Sequence, residues 1–112
     1  MTSIDVLIPA NMISRAVATL LAEAPRGSKV ILFGSYARGD ANGDSDIDFL
    51  VVEPTLTSRR AEMVRLRSAL RPLRISADVL VVSRTAFDAW KELPNNVIYE
   101  AYNEGKVYES AA

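Results

Sequence analysis

Two short clusters in this chain carry side chains suited to chemistry: Gly34-Ser35-Tyr36-Ala37-Arg38-Gly39 and, after a turn, Ser45-Asp46-Ile47-Asp48. A small-residue corner after an apolar run lets backbone N–H groups approach a phosphate, because glycine puts no Cβ in the way. The Ser35 hydroxyl adds a donor at the same place. Asp46 and Asp48 are two apart in an extended run, so their carboxylates leave one face while Ile47 packs on the other. Side by side they repel, and a cation between them relieves that repulsion. A pair of divalent ions about 3.5–4 Å apart satisfies all their oxygens. Phosphate cradle and cation cage within fifteen residues point to chemistry on a nucleoside triphosphate.

Asp78 is the expected third acid. It interrupts the apolar stretch Ala77-Asp78-Val79-Leu80-Val81-Val82, where a lone carboxylate needs a partner. If its strand neighbours the one bearing Asp46 and Asp48, the three converge on a site suited to Mg²⁺, which takes carboxylates, waters and phosphate oxygens together. Arg38, one turn past the corner, reaches the triphosphate or braces Asp40 or Asp44.

The elements that must position these groups are legible from periodicity. Ala10 to Glu23 repeats apolar residues at helical spacing and stops at Pro25 and Gly27. Lys29 to Phe33 reads as a buried strand, and Gly34-Ser35 opens a helical turn through Arg38. Asn42-Gly43 is a turn. Asp46 to Val52 reads as a second strand. Thr57 or Ser58 caps a helix to Leu70 with a Met63, Leu66, Leu70 stripe, closed by Pro72. Ile75 to Val82 is the third strand and Arg84 to Glu92 a helix. Pro94 restarts a helix to Glu104, Gly105 is an αL stop, and Lys106 to Glu109 adds an edge strand. Alternating helices and strands predict an α/β domain, a small mixed sheet flanked by helices.

Composition narrows the chemistry. The chain has 112 residues, a formal net charge of -1, and neither cysteine nor histidine. Thiol nucleophiles, disulfides, Cys-based zinc sites and imidazole bases are excluded. Hard, oxygen-liganded cations are favoured. With no global basic field, nucleic acid is not expected as a direct partner. No apolar run approaches the ~20 residues of a membrane span, and Met1 to Asp5 has no signal-peptide character, so a cytoplasmic location is expected. An EF-hand fails because Ser45 and Val51 occupy its Gly and Glu positions. A P-loop fails for want of Gly-Lys-Ser/Thr.

The chain resembles the nucleotidyltransferase superfamily that includes DNA polymerase β. Its pattern in the minimal nucleotidyltransferases, Gly-Ser-x-Ala-Arg-Gly-x5-Ser-Asp-x-Asp-x-x-Val, is met from Gly34 to Val51, with Phe49 where leucine is more usual. The ending Tyr102 to Glu109 is also similar to the close of such domains. The resemblance implies a polymerase β-like fold over one domain, residues 1–112. It implies transfer of a nucleoside monophosphate, with Asp46, Asp48 and Asp78 as catalytic and metal-ligating residues for two Mg²⁺ ions and ATP as substrate. Gly34, Ser35, Arg38 and Ser45 would form the nucleotide side.

A core of this size has no second domain to hold an acceptor, so the acceptor is expected from a partner. In the minimal family that partner is typically a helical HEPN toxin, and the nucleotidyltransferase is its antitoxin, adding AMP to a toxin tyrosine. A hetero-oligomer with such a toxin is the expected assembly. Alternatives are a non-catalytic module that masks the toxin, or a subunit acting on a small molecule or tRNA. The helix from Thr57 carries Arg59, Arg60, Arg65, Arg67 and Arg71 against Glu62 alone. It reads as a solvated face or as a docking face for an acidic partner or RNA. Tyr99, Tyr102, Tyr108 and Trp90 read as core or interface residues, and Tyr36 as packing or near the nucleotide.

Overall fold

Residues 7–110 are described by a computed structural model of the chain; the Met1 to Asp5 stretch lies outside them. The order is α1 (Ala10–Glu23), β1 (Lys29–Phe33), α2 (Ser35–Arg38), β2 (Ile47–Glu53), α3 (Arg59–Leu70), a 3₁₀ turn (Arg71–Leu73), β3 (Ala77–Ser83), α4 (Arg84–Trp90), α5 (Val97–Glu104) and β4 (Lys106–Glu109). The strands form one mixed sheet in the order β3-β2-β1-β4. β1 is antiparallel to both β2 and β4, whereas β2 and β3 run parallel. The expected α/β class, a small mixed sheet flanked by helices, is what forms.

β2 is apolar on both sides because the sheet is covered on both sides. Ile47, Phe49 and Val51 pack with Leu20 of α1 and Leu66 and Leu70 of α3. Leu50 and Val52 face the other way, with Phe87 of α4 and Ile98 and Ala101 of α5. Parallel strands need a crossover, and the segment containing α3 supplies it between β2 and β3.

Local chemistry adjusts several expected boundaries. Asp46 lies just before β2 rather than in it, and β3 begins at Ala77, not Ile75. Ser58, rather than Thr57, caps α3, its side chain accepting from Ala61 N–H. Beyond Leu70 the chain runs on through the Arg71–Leu73 turn, ending at Arg74 with φ 53°. α4 stops at Trp90. Pro94 does not open α5: Asn96 does, accepting from Tyr99 N–H, because a side-chain acceptor satisfies a first-turn donor. Gly105 is extended, with φ -81° and ψ 162°, so it is not an αL stop. Its lack of a side chain matters for space instead: a Cβ there would overlap the Ala101 carbonyl and the Ile31 side chain. No helix among the described residues is long and apolar enough to cross a membrane.

Candidate active site

The end of β1 and the beginnings of β2 and β3 meet at one edge of the sheet, and the chemistry-bearing residues collect there. Asp48 pairs directly with Asp78 across the parallel β2–β3 ladder. Residues in register on adjacent strands share a face, so both carboxylates lie on the side of Leu50 and Leu80. Asp46, two residues before Asp48, accepts a hydrogen bond from the Ser76 hydroxyl. Gly34 follows β1, whose Phe33 pairs with Asp48. Gly34, Ser35, Arg38, Ser45, Asp46, Asp48 and Asp78 all line a single cavity of about 450 Å³. A larger cavity, about 580 Å³, lies between the end of α1 and the end of β4, but it contains one acid, Glu109, against Arg26 and Arg84.

Gly34 is required where it stands. Its φ of 77° and ψ of -157° suit glycine alone, and a Cβ would run into the Asp48 carboxyl. The corner thus presses backbone against the central acid. Its N–H is not open to a ligand in this arrangement: it donates to Glu104 Oε1 at 3.0 Å. Arg38 Nη1 donates to that same oxygen at 3.0 Å and its Nε to Asp40 at 3.3 Å, with Glu100 at 3.9 Å. Of the two sequence readings of Arg38, bracing Asp40 is the contact present, joined by Glu104. Ala37 and Arg38 N–H reach the Gly34 carbonyl. That leaves the first-turn N–H groups of Ser35 and Tyr36 as the corner's outward donors. Tyr36 itself points away, its hydroxyl accepting from Ile8 N–H at 3.0 Å. Ser45 holds the turn, accepting from Asn42 N–H at 2.9 Å.

The acids sense one another. The Asp48 carboxyl is raised above its ordinary value by burial first, then by the charges of Asp78, Asp46 and Glu100, against a lowering from Arg38. Yet among the described residues no three carboxylates stand close enough to form a ready-made cage for a metal ion. The donor set still fits a hard divalent ion that keeps waters and shares phosphate oxygens with its substrate, since such an ion needs only one or two carboxylates from the protein. Asp48, flanked by Asp46 and Asp78, is the natural shared ligand.

Sequence reasoning missed three residues. Glu100 and Arg67 line the cavity, and Glu104 ties α5 to Gly34. Glu104 is 70 positions from Gly34 and Arg67 belongs to a helix read as a solvated face or a docking face, so no local signal assigned either to this site.

The nucleotidyltransferase domain model matches residues 13–108 of this chain. The chain belongs to the nucleotidyltransferase domain family. Members of this family use a nucleotide substrate and a divalent metal. A Methanocaldococcus jannaschii protein, provisionally named a protein adenylyltransferase, is 67% identical over 27 residues. That match covers 24% of this chain and 27% of the relative. Among solved structures, a provisionally named nucleotidyltransferase from Sulfolobus solfataricus aligns with a TM-score of 0.58 at 21% identity, covering 88% of this chain and 77% of that one. A toxin–antitoxin with AMP-PNP gives a TM-score of 0.54 at 20% identity, over 93% and 76%. A mutant of the toxin–antitoxin MntA-HpeT gives 0.50 at 22%, over 94% and 76%. At such identities these likenesses establish the nucleotidyltransferase fold.

Proposed function

We propose that this chain is an Mg²⁺-dependent adenylyltransferase that moves AMP from ATP to a protein hydroxyl. The acceptor is a tyrosine of a helical HEPN toxin, and the chain is that toxin's antitoxin. The observation that carries the reading is the row of Asp46, Asp48 and Asp78 in one cavity with the Gly34–Ser35 corner, on a nucleotidyltransferase fold. The toxin–antitoxin neighbours and the provisional adenylyltransferase relative support the partner and the acceptor class.

In this reaction the acceptor oxygen attacks the α-phosphorus and forms a new P–O bond. The bond from that phosphorus to the β-phosphate oxygen breaks, and pyrophosphate leaves with the electron pair. The hydroxyl proton passes to the Asp78 carboxylate. Ser35 and the corner N–H groups hold the departing phosphates, Arg38 braces the corner against α5, and Ser45 keeps Asp46 and Asp48 in line. Mg²⁺, as two ions held by Asp46, Asp48 and Asp78, would neutralise phosphate charge and lower the acceptor's pKa.

Incubation with labelled ATP, Mg²⁺ and the co-purified partner tests this. Label on a partner tyrosine, lost in Asp46→Asn and Asp78→Asn, supports transfer. Toxin neutralisation that survives both substitutions, with no label on the partner, replaces it with masking by complex formation.

A further inference from the structure

We infer that Arg67, from the crossover helix, is a catalytic residue that grips the α-phosphoryl group; the inference rests on the adenylyltransferase reading of the same site. The geometry begins at the free edge of β3. Arg59, at the start of α3, donates from Nε to Val81 O at 2.9 Å, which lays the helix along that edge. Eight residues later the helix has advanced ~12 Å. Three residues back along β3, from Val81 to Asp78, is ~10 Å. Arg67 therefore comes level with Asp78 and lines the cavity that holds Asp46, Asp48 and Asp78.

Charge gives it a task. Among the described residues, four carboxylates border this cavity, those of Asp46, Asp48, Asp78 and Glu100, with only Arg38 and Arg67 as cations. Arg38 is engaged by Asp40, Glu100 and Glu104. Arg67 has no carboxylate within ion-pair distance among the described residues. Its planar fork matches phosphate oxygens.

Its place in the row selects which phosphate. Across the sheet the order is the Gly34–Ser35 corner after β1, Asp48 on β2, Asp78 on β3, then Arg67 beyond the edge. With the departing phosphates at the corner, the phosphorus under attack lies over the acids, on the Arg67 side. As the acceptor oxygen bonds to it and pyrophosphate leaves with the electron pair, negative charge on its non-bridging oxygens meets the guanidinium.

The test is calorimetric binding of AMP and of inorganic pyrophosphate, in Mg²⁺, to the wild-type chain, Arg67→Ala and Arg67→Lys. Arg67→Ala should bind AMP at least ~10-fold more weakly and pyrophosphate within about twofold of wild type. In the labelling assay its kcat should fall ~100-fold, with partial recovery in added guanidinium ion, and Arg67→Lys should fall between the two. Thermal unfolding of each variant shows whether it is folded. Unchanged AMP affinity in Arg67→Ala, or equal loss for AMP and pyrophosphate, overturns the inference while leaving the adenylyltransferase reading intact. A wild-type chain that binds neither compound overturns both.

Discussion

Glu53 should make this protein lose stability as the solution becomes more alkaline, contrary to the usual behaviour of a carboxylate. It closes β2 and is 1% exposed. Among the described residues no donor reaches its buried Oε2, and a protonated Glu53 carboxyl donates to Glu62. Burial first, then the Glu62 hydrogen bond and charge, push it from 4.5 to about 8, against Arg65. Glu62 goes the other way, to about 2, held by Arg65, with Nε–Oε1 at 2.8 Å, and by Glu53. The folded state thus keeps a proton on Glu53 that the unfolded chain releases above about 4.5. Stability from this group is whole below that pH and drains away as pH rises through about 8.

At ~1.4 kcal/mol per pH unit, the 3.5-unit span caps the loss at about 5 kcal/mol. Water reaching the ionised group through the cavity lined by Glu53, Thr55, Thr57 and Glu62 should reduce it to about 2–3 kcal/mol. Glu62 adds an acid limb, stability present above about 4.5 and lost as pH falls toward 2. Glu53→Gln keeps the shape and a donor toward Glu62 but cannot ionise. Urea unfolding from pH 5 to 9 should show the wild-type stability falling and the variant nearly level, the variant being the more stable at pH 9. Parallel curves for the two proteins would refute the reasoning.

Other substitutions probe the geometry directly. Gly34→Ala should lower transfer at least ~100-fold and destabilise by about 2–4 kcal/mol, from its positive φ and the Asp48 overlap; labelling and thermal unfolding read the two effects. Gly105→Ala, whose Cβ would overlap the Ala101 carbonyl and the Ile31 side chain, should cost about 1–3 kcal/mol in urea unfolding. Asn96→Ala removes the α5 cap and should cost about 1 kcal/mol, seen as a lower urea midpoint. Chelation with EDTA should abolish transfer, and Mg²⁺ should restore it while Ca²⁺, which is larger and less strict in geometry, should restore little.

Much of the framework was readable because its signals are local. The 3.6-residue repeat marks α1 from Ala10 to Glu23, and the β-branched run Val30–Ile31 within Lys29–Phe33 marks β1, both with the bounds expected. Asp78 stood out as a charge inside an apolar strand, and the parallel ladder sets it level with Asp48. Where two local signals competed, the wrong one was weighted: Pro94 and Asn96 both suit a helix start, and the side-chain acceptor prevails. Gly105 looked like a conformational stop, but its need comes from Ile31 and the Ala101 carbonyl, a tertiary cause. Glu104 and Arg67 reach the site only through the packing of α5 over β1 and of α3 along β3. No window of sequence contains both ends of such a contact.

The ladder between β2 and β3, more than any loop, sets the spacing of the acids, and this decides which length changes the chain tolerates. Extra residues in the 54–57 connection lengthen a surface excursion and leave Asp48 opposite Asp78. One residue inserted between Asp78 and Val79, with Val79 and Val81 keeping their buried places, would push Asp78 back one position and shift its alternation by half a period. The carboxylate would then project through the sheet toward Leu66 and Leu70, giving a protein with its secondary structure kept and its reaction centre turned inside out.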